Sequence, residues 1–353
     1  MSETGPDLAG HARITGRSWS FSHLLLLVGA VAVCLAGLGL GPVTIPVADI
    51  LAALGGTGDA VHEAIIGQIR GPRVALGVAV GVALALSGAA LQGLLRNPLA
   101  DPGLIGVTGG ASVGAVTVIV LGDVLFAGVP DGLRPWLLPV AAFVGAFVVT
   151  GFVFLLSRRA GETSMATLIL AGVAVNAIAG AFIGAMVFIS DDQQLRDLTF
   201  WSLGSLGAAG WTLVGIALTA SLGSALLLVR MYRALDLFQL GERAAFHAGL
   251  DTERIKLQAG VLSALAVGAA TAAAGPIGFI GLVAPHMARL MLGAGHRMML
   301  PGAALIGVIL LLSADLCVRL AVPPAEPPIG LATSLIGGPF FLWLLLSRMR
   351  GHA

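Results

Sequence analysis

The feature that most constrains the fold is a series of ten long apolar runs. Each run is about 18–25 residues long, which is the length a helix needs to cross roughly 30 Å of hydrocarbon. Only 10% of the 353 residues are charged, whereas soluble domains carry about 25%. The alternating ten-residue pattern of a membrane barrel is absent. The sequence therefore predicts an all-α polytopic membrane protein.

The runs predict ten spans, at 21–41, 73–95, 102–122, 136–157, 165–188, 211–232, 258–275, 277–294, 300–319 and 330–347. Residues 1–20 are polar and are predicted to be a cytoplasmic tail. We expect the first run to be a retained span, since no small-residue cleavage site follows it. No linker or low-complexity tract divides the chain, so residues 1–353 are predicted to be one transmembrane domain.

The distribution of Lys and Arg predicts the orientation, because cytoplasmic segments are enriched in both. With the N-terminus inside, 14 of the 19 cations fall on inner segments. The other five are Arg70, Arg73, Arg134, Arg196 and Arg319. Both termini are therefore expected in the cytoplasm.

Several chemistries are excluded by the residues present. Cys34 and Cys317 both fall inside predicted spans, so neither a disulfide framework nor a metal pair is indicated. The single lysine, Lys256, follows isoleucine, so the Gly-Lys-Ser/Thr of a phosphate-binding loop is absent. His62-Glu63 lacks the second histidine of a zinc protease. A net charge of +1 gives no indication of nucleic-acid binding. An intramembrane hydrolase is disfavoured.

The 50 glycines are about twice the usual share. Many stand in small-residue spacings, such as Gly77 with Gly81 and Gly180 with Gly184. In lipid, close backbone approach through small residues holds helices together. These spacings predict packed helix pairs.

Four stretches resemble one family. They are GPIGFIGLVAPHMAR at 275–289, QIRGPR at 68–73, SG…Q…RNPLADPGLIG at 87–106, and the segment from Asp315 through EPPIG at 326–330 to GPF at 338–340. In this order they resemble the permease subunits of ABC importers for iron–siderophore, haem and cobalamin. Pro327 departs from that pattern, because the family usually has Leu or Met there.

The resemblance implies the type II importer architecture, a homodimer in the bacterial inner membrane, and a periplasmic binding protein outside. It also implies two cytoplasmic ATPase subunits, which hold ATP and Mg. The chain itself is then a transport subunit and not an enzyme, with no bound cofactor or metal.

The resemblance assigns candidate functional residues at the predicted outer face. Arg70, Arg73 and Arg319 match positions that meet acidic side chains of the binding protein, and exposed arginines suit carboxylate recognition. The alternative is that Arg70 and Arg73 only anchor the chain at the interface. Asp315 stands one helical turn before Arg319, and this spacing predicts a structural ion pair within the membrane.

At the predicted inner face, the loop 233–257 resembles the family's ATPase-coupling loop, through Gly241, Glu242, Ala245 and Gly249. Thr163, Ser164 and Thr167 lie where relatives have a cytoplasmic gate. They could equally cap a helix, and the sequence leaves both interpretations open.

Residues 190–207 resemble the family's short helix at the outer mouth, and their sequence is particularly similar to that of haem-uptake permeases. Haem is therefore the expected cargo, with a ferric siderophore or cobalamin as the alternative. A rival of another class is an ion-coupled secondary transporter, which usually carries carboxylates in mid-span. Only Asp315 approaches such a position.

Overall fold

A computed structural model describes residues 15–159, 161–207, 210–322 and 327–350. Its helices are α1 (Thr15–Gly39), α2 (Val47–Leu54), α3 (Ala60–Ala64), α4 (Gly71–Leu95), α5 (Val107–Leu125), α6 (Arg134–Ser157), α7 (Met165–Ile189), α8 (Asp192–Leu203), α9 (Trp211–Arg230), α10 (Tyr232–Gln239), α11 (Glu242–His247), α12 (Thr252–Ala274), α13 (Ile280–Leu292), α14 (His296–Ala321) and α15 (Ile329–Arg350). A π-helical turn, Ile65–Arg70, joins α3 to α4, and a 3₁₀ turn, Pro102–Ile105, precedes α5. Strands β1 (Arg158–Arg159) and β2 (Glu162–Thr163) form an antiparallel ribbon in which Arg158 pairs with Thr163.

The prediction of an all-α membrane protein is confirmed. Within the described ranges, eight helices are long and apolar enough to cross a membrane, and they correspond to the first seven predicted spans and the ninth. The eighth predicted span corresponds to α13, whose 13 residues reach only about 20 Å. The tenth corresponds to α15, in which Ile329–Leu342 is the apolar part. The exact count of ten spans stays a prediction.

The structure adds detail at two predicted segments. Helix α1 begins at Thr15, inside the tail predicted at 1–20, and the rest of that tail lies outside the described residues. The predicted loop 233–257 is largely helical, because it contains most of α10, all of α11 and the first turn of α12. The short helix predicted within 190–207 is confirmed as α8, which starts with a capping box between Asp191 and Gln194.

Helix α4 lies at the centre of the bundle, and α9, α12, α13 and α14 pack around it. Glycine permits the closest of these contacts. A Cβ atom at Gly81 would lie 2.8 Å from the carbonyl oxygen of Gly307, so the backbones of α4 and α14 touch at this crossing. Helices α1 and α7 are mostly uncovered in the isolated chain.

The GPIGF sequence at 275–279 does not continue a helix. Gly275 and Phe279 both have left-handed backbone angles, with φ of +72° and +68°. Gly281, just inside α13, lies against Gly88 deep in α4. Non-helical backbone at membrane depth is tolerated where protein surrounds it, and Gly275 and Ile277 are buried.

The helices place the two groups of cations at opposite ends of α4. Arg70 precedes its first residue, and Arg319 lies at the same end, against Gly37 of α1. We call this the arginine end. Arg96 follows the last residue of α4 and approaches Gly241 beside α11. We call this second end the coupling end. Which end faces the cytoplasm stays a prediction.

Candidate functional site

The most connected polar cluster of the coupling end is built around Lys256, in the first turns of α12. Its side chain is 1% exposed. Its Nζ donates to the carbonyl oxygen of Thr163 at 2.8 Å, to Oε1 of Glu253 at 2.6 Å, and to the carboxylate of Glu242. One ammonium group therefore joins the start of α11, the end of β2 and the start of α12.

Glu253 closes this network. Its Oε2 accepts a hydrogen bond from the backbone N–H of Thr163 at 2.9 Å, while its Oε1 accepts from Lys256. Both backbone groups of Thr163 are therefore bound by the α12 pair. A buried ammonium is tolerated when hydrogen-bonded carboxylates surround it, and two of them do so here.

Local sequence explains how these groups reach one another. Asp251 caps α12 by accepting from the N–H of Arg254 at 3.1 Å. The i, i+3 spacing then places Glu253 and Lys256 on one face of the helix. Gly241 has φ of +115°, a conformation that favours glycine, and it turns the chain into α11 so that Glu242 faces Lys256.

The structure brings the predicted coupling residues together on a short projecting helix. Gly241 is the N-cap of α11 and Glu242 its first residue, Ala245 is the buried residue of the helix, and Gly249 follows the helix with φ of +87°. Two large apolar side chains of this segment point to solvent: Leu240 is 73% exposed and Phe246 is 62% exposed. The coupling role itself stays a prediction.

The residues predicted as either a gate or a helix cap lie next to one another at the start of α7. Thr163 is buried in β2, whereas Ser164 is the N-cap of α7 and accepts from the N–H of Thr167 at 3.3 Å. Capping is therefore present, and the gate stays a prediction. Lys256 and Glu253 were missed as site residues from sequence. The available signal was the i, i+3 spacing of Glu253 and Lys256, in a chain that has a single lysine.

A second polar cluster links α10 to α14 at this end. Nδ1 and the backbone N–H of buried His296 both lie 2.8 Å from Oδ1 of Asp236. Gln239 also approaches the ring, at 3.3 Å. This cluster fixes the first turn of α14 against α10.

At the arginine end, Arg70, Arg73 and Arg319 are all buried, with exposed fractions of 4–6%. Arg70 donates to the carbonyl oxygens of Leu38, Gly39 and Val43 at 2.5–3.0 Å. These guanidinium groups bind the chain's own acceptors, so in this arrangement they do not present a surface to a partner. The docking role of these arginines stays a prediction.

The predicted Asp315–Arg319 pair is corrected. Arg73 of α4 binds both carboxylate oxygens of Asp315, with N–O distances of 2.9–3.1 Å, while Arg319 donates to the carbonyl oxygen of Gly37 at 2.8 Å. The two charges of the ion pair are 242 residues apart. Helical spacing alone could not identify that partner.

Two of the sequence motifs meet in space. Gln92 donates to the carbonyl oxygens of Ala100 and Gly281, at 3.4 and 3.3 Å, and accepts from Arg289 at 3.3 Å. The stretch around 87–106 is thereby held against 275–289. Among the described residues, no group of three His, Cys, Asp or Glu side chains could hold a metal. The Glu326 part of the last motif lies outside the described residues.

Comparison with known proteins identifies the family. The sequence profile of the FecCD transport family matches residues 26–347. The hemin transport system permease protein HmuU of Yersinia pestis is 48% identical over 285 residues, covering 80% of this chain and 83% of that protein. The cobalamin import system permease protein BtuC of Halobacterium salinarum is 40% identical over 286 residues, covering 81% of this chain and 74% of that protein.

A solved structure has the same fold. It is an inward-facing metal-chelate type ABC transporter, with a TM-score of 0.82, 30% sequence identity, and coverage of 93% of this chain and 99% of that one. These relatives are transport subunits and not enzymes, and their family works with ATPase and substrate-binding partners. The chain therefore belongs to the FecCD transport family, as a membrane-spanning permease subunit of an ABC importer.

Proposed function

We propose that this permease forms a homodimer in the bacterial inner membrane and carries haem to the cytoplasm. Two ATPase subunits bind the coupling end, which faces the cytoplasm, and a binding protein delivers haem to the arginine end. Haem is favoured over cobalamin because identity to the hemin permease is 48%, against 40% to the cobalamin permease.

The observation that carries the ATPase partnership is the exposed surface of α11. Leu240 and Phe246 expose most of their apolar area on a short segment that also carries Arg243 and His247. An exposed apolar patch rimmed by polar residues marks an interaction site. Ala245 of the same helix is buried, so α11 packs against the bundle on its other side. Helix α11 is therefore the element that docks on the ATPase.

The docking proposal is tested by co-purification. Phe246→Ala and Leu240→Ala should each lower the amount of ATPase retained by the tagged permease at least fivefold, because a central apolar anchor contributes about 1–3 kcal/mol to an interface. Val124→Ala is the matched control: Val124 is 80% exposed near the opposite end of the bundle. Full ATPase retention by both the Phe246→Ala and the Leu240→Ala variants would overturn the docking site.

Cargo is tested by reconstitution into liposomes with the ATPase and candidate binding proteins. We expect ATP-driven uptake of haem, and much slower uptake of a ferric hydroxamate siderophore or of cobalamin. Preference for either of these would replace haem as the cargo. Uptake driven by an ion gradient without nucleotide would support the secondary transporter instead and overturn the ATP-driven mechanism.

The homodimer is supported by the uncovered apolar face of α7, which includes Leu170, Val173 and Ile178. A second copy of the chain would cover such a face, and lipid is the alternative. Cysteine placed at position 178 should form a disulfide-linked dimer in membranes under mild oxidation. A monomer only, at this and neighbouring α7 positions, would remove α7 from the interface.

A further inference from the structure

We infer that Lys256 is the positioning residue that transmits movement of α11 to the β1–β2 ribbon and to the start of α7. This inference rests on the proposed function and adds a mechanical link to it. The geometry of four groups supports it: Lys256, Glu242, Glu253 and the backbone of Thr163.

The first step is that Lys256 bridges elements which would otherwise move independently. Helix α11 has six residues, and glycines with positive φ stand at both of its borders, at 241 and 249. The ribbon is only two residues long on each strand. Neither element has a large core of its own, so a shared ammonium group is a rigid connection between them.

The second step is the direction of the link. Glu242 lies at the N-terminus of α11, on the segment that bears the exposed Leu240 and Phe246. Thr163 immediately precedes the N-cap of α7, Ser164. A displacement of α11 therefore pulls on Lys256, and through it on the residue from which α7 starts. The segment predicted as the gate lies at the far side of this connection.

The third step is the difference in solvent exposure between Lys256 and its two carboxylate partners. Lys256 is almost fully buried, whereas Glu242 and Glu253 retain 44% and 28% side-chain exposure. The carboxylates can thus be rehydrated when the link is cut, so a neutral residue at 256 leaves them partly solvated. Loss of the link is then separable from loss of the fold.

The experiment measures haem uptake and ATP hydrolysis in the reconstituted complex. Lys256→Met should retain ATPase binding and hydrolysis but lower haem transported per ATP at least tenfold, whereas Lys256→Arg should restore most of that ratio. Glu242→Ala removes only the bond between Lys256 and α11, at a side chain that is 44% exposed. It should also lower the amount of haem transported per ATP. Arg254→Gln, which changes the same charge two residues away on the exposed side of α12, is the matched control and should leave the ratio unchanged.

The double variant Lys256→Met/Glu242→Gln tests whether Lys256 acts as a mechanical link or only neutralises the two carboxylates. It removes one of the two carboxylates left without the lysine, yet uptake per ATP should stay low. Recovery of the ratio in this variant would overturn the inference, as would normal coupling in Lys256→Met or in Glu242→Ala. The same loss in Arg254→Gln would also overturn it, because the effect would then follow charge alone.

A second readout does not depend on the cargo. In a chain with Cys34 and Cys317 replaced by Ala, a cysteine at exposed position 162 should react with a thiol reagent at a rate that changes when the ATPase binds nucleotide. Lys256→Met should abolish that change. If it persists, the link is refuted even where haem is not the cargo. Absence of any ATP-driven uptake by the unmodified complex would instead refute the proposed function.

Discussion

Replacing Asp315 by Asn should destabilise the protein far more than replacing an exposed carboxylate of the same end. At an N–O distance of 2.9 Å, the Arg73–Asp315 attraction is about 6 kcal/mol for an effective dielectric constant of about 20. Desolvation of both groups opposes this attraction. Removing one partner of a buried pair costs about 3–5 kcal/mol, and we expect the lower value because the amide oxygen of Asn still accepts one bond.

Asp131 offers the matched control. It pairs with Arg134 at 3.2 Å, but its side chain is 97% exposed, and exposed pairs contribute about 0.2–1 kcal/mol. Unfolding in mixed micelles of increasing SDS fraction, followed by the fluorescence of the five tryptophans, gives both free-energy changes. A double-mutant cycle with Arg73→Met isolates the pair. Equal losses in D315N and D131N, or a coupling energy below about 0.5 kcal/mol, would refute the importance of the buried pair.

Two further predictions concern packing and capping. Gly81→Val should lower the free energy of unfolding by about 1–3 kcal/mol through overpacking, because its Cβ would lie 2.8–2.9 Å from backbone atoms of Gly307 and Val308. Gly223→Val, in α9, is the control, since nothing lies within 4 Å of a Cβ there, and an equal loss would contradict the packing argument. Asp191→Ala removes the capping box of α8 and should destabilise that helix by about 1 kcal/mol, seen as faster amide exchange confined to α8. Asp192→Ala should have a smaller effect, and unchanged exchange in D191A would show that the cap contributes nothing.

The glycines show what sequence spacing could and could not indicate. Gly77 with Gly81 and Gly180 with Gly184 have the same spacing, and both pairs predicted helix contacts. The structure confirms the first pair, at the α4–α14 crossing, and leaves the second in open space in the isolated chain. Spacing establishes that two glycines share a helix face. It does not establish which face meets another helix.

The predicted coupling segment carries a signal of another kind. Glycines with an intervening Glu and Ala mark a short turn-bounded helix, and that pattern is local in sequence. The bonds of Lys256 combine a local partner, Glu253, with Thr163 on a segment 93 residues away. A local pattern could reveal the first partner but contains no information on the second.

The sequence by itself determined that the chain is helical and spans a membrane, and its motifs indicated the family. Those properties follow from hydrophobic run length and from short-range backbone preferences, which neighbouring residues decide. Tertiary structure decided the long-range partners of two buried charges: Asp315 binds Arg73 across 242 residues, and Lys256 binds the ribbon as well as its own helix. A charge in a low-dielectric interior requires a partner, but which partner it finds depends on which helices the fold brings together.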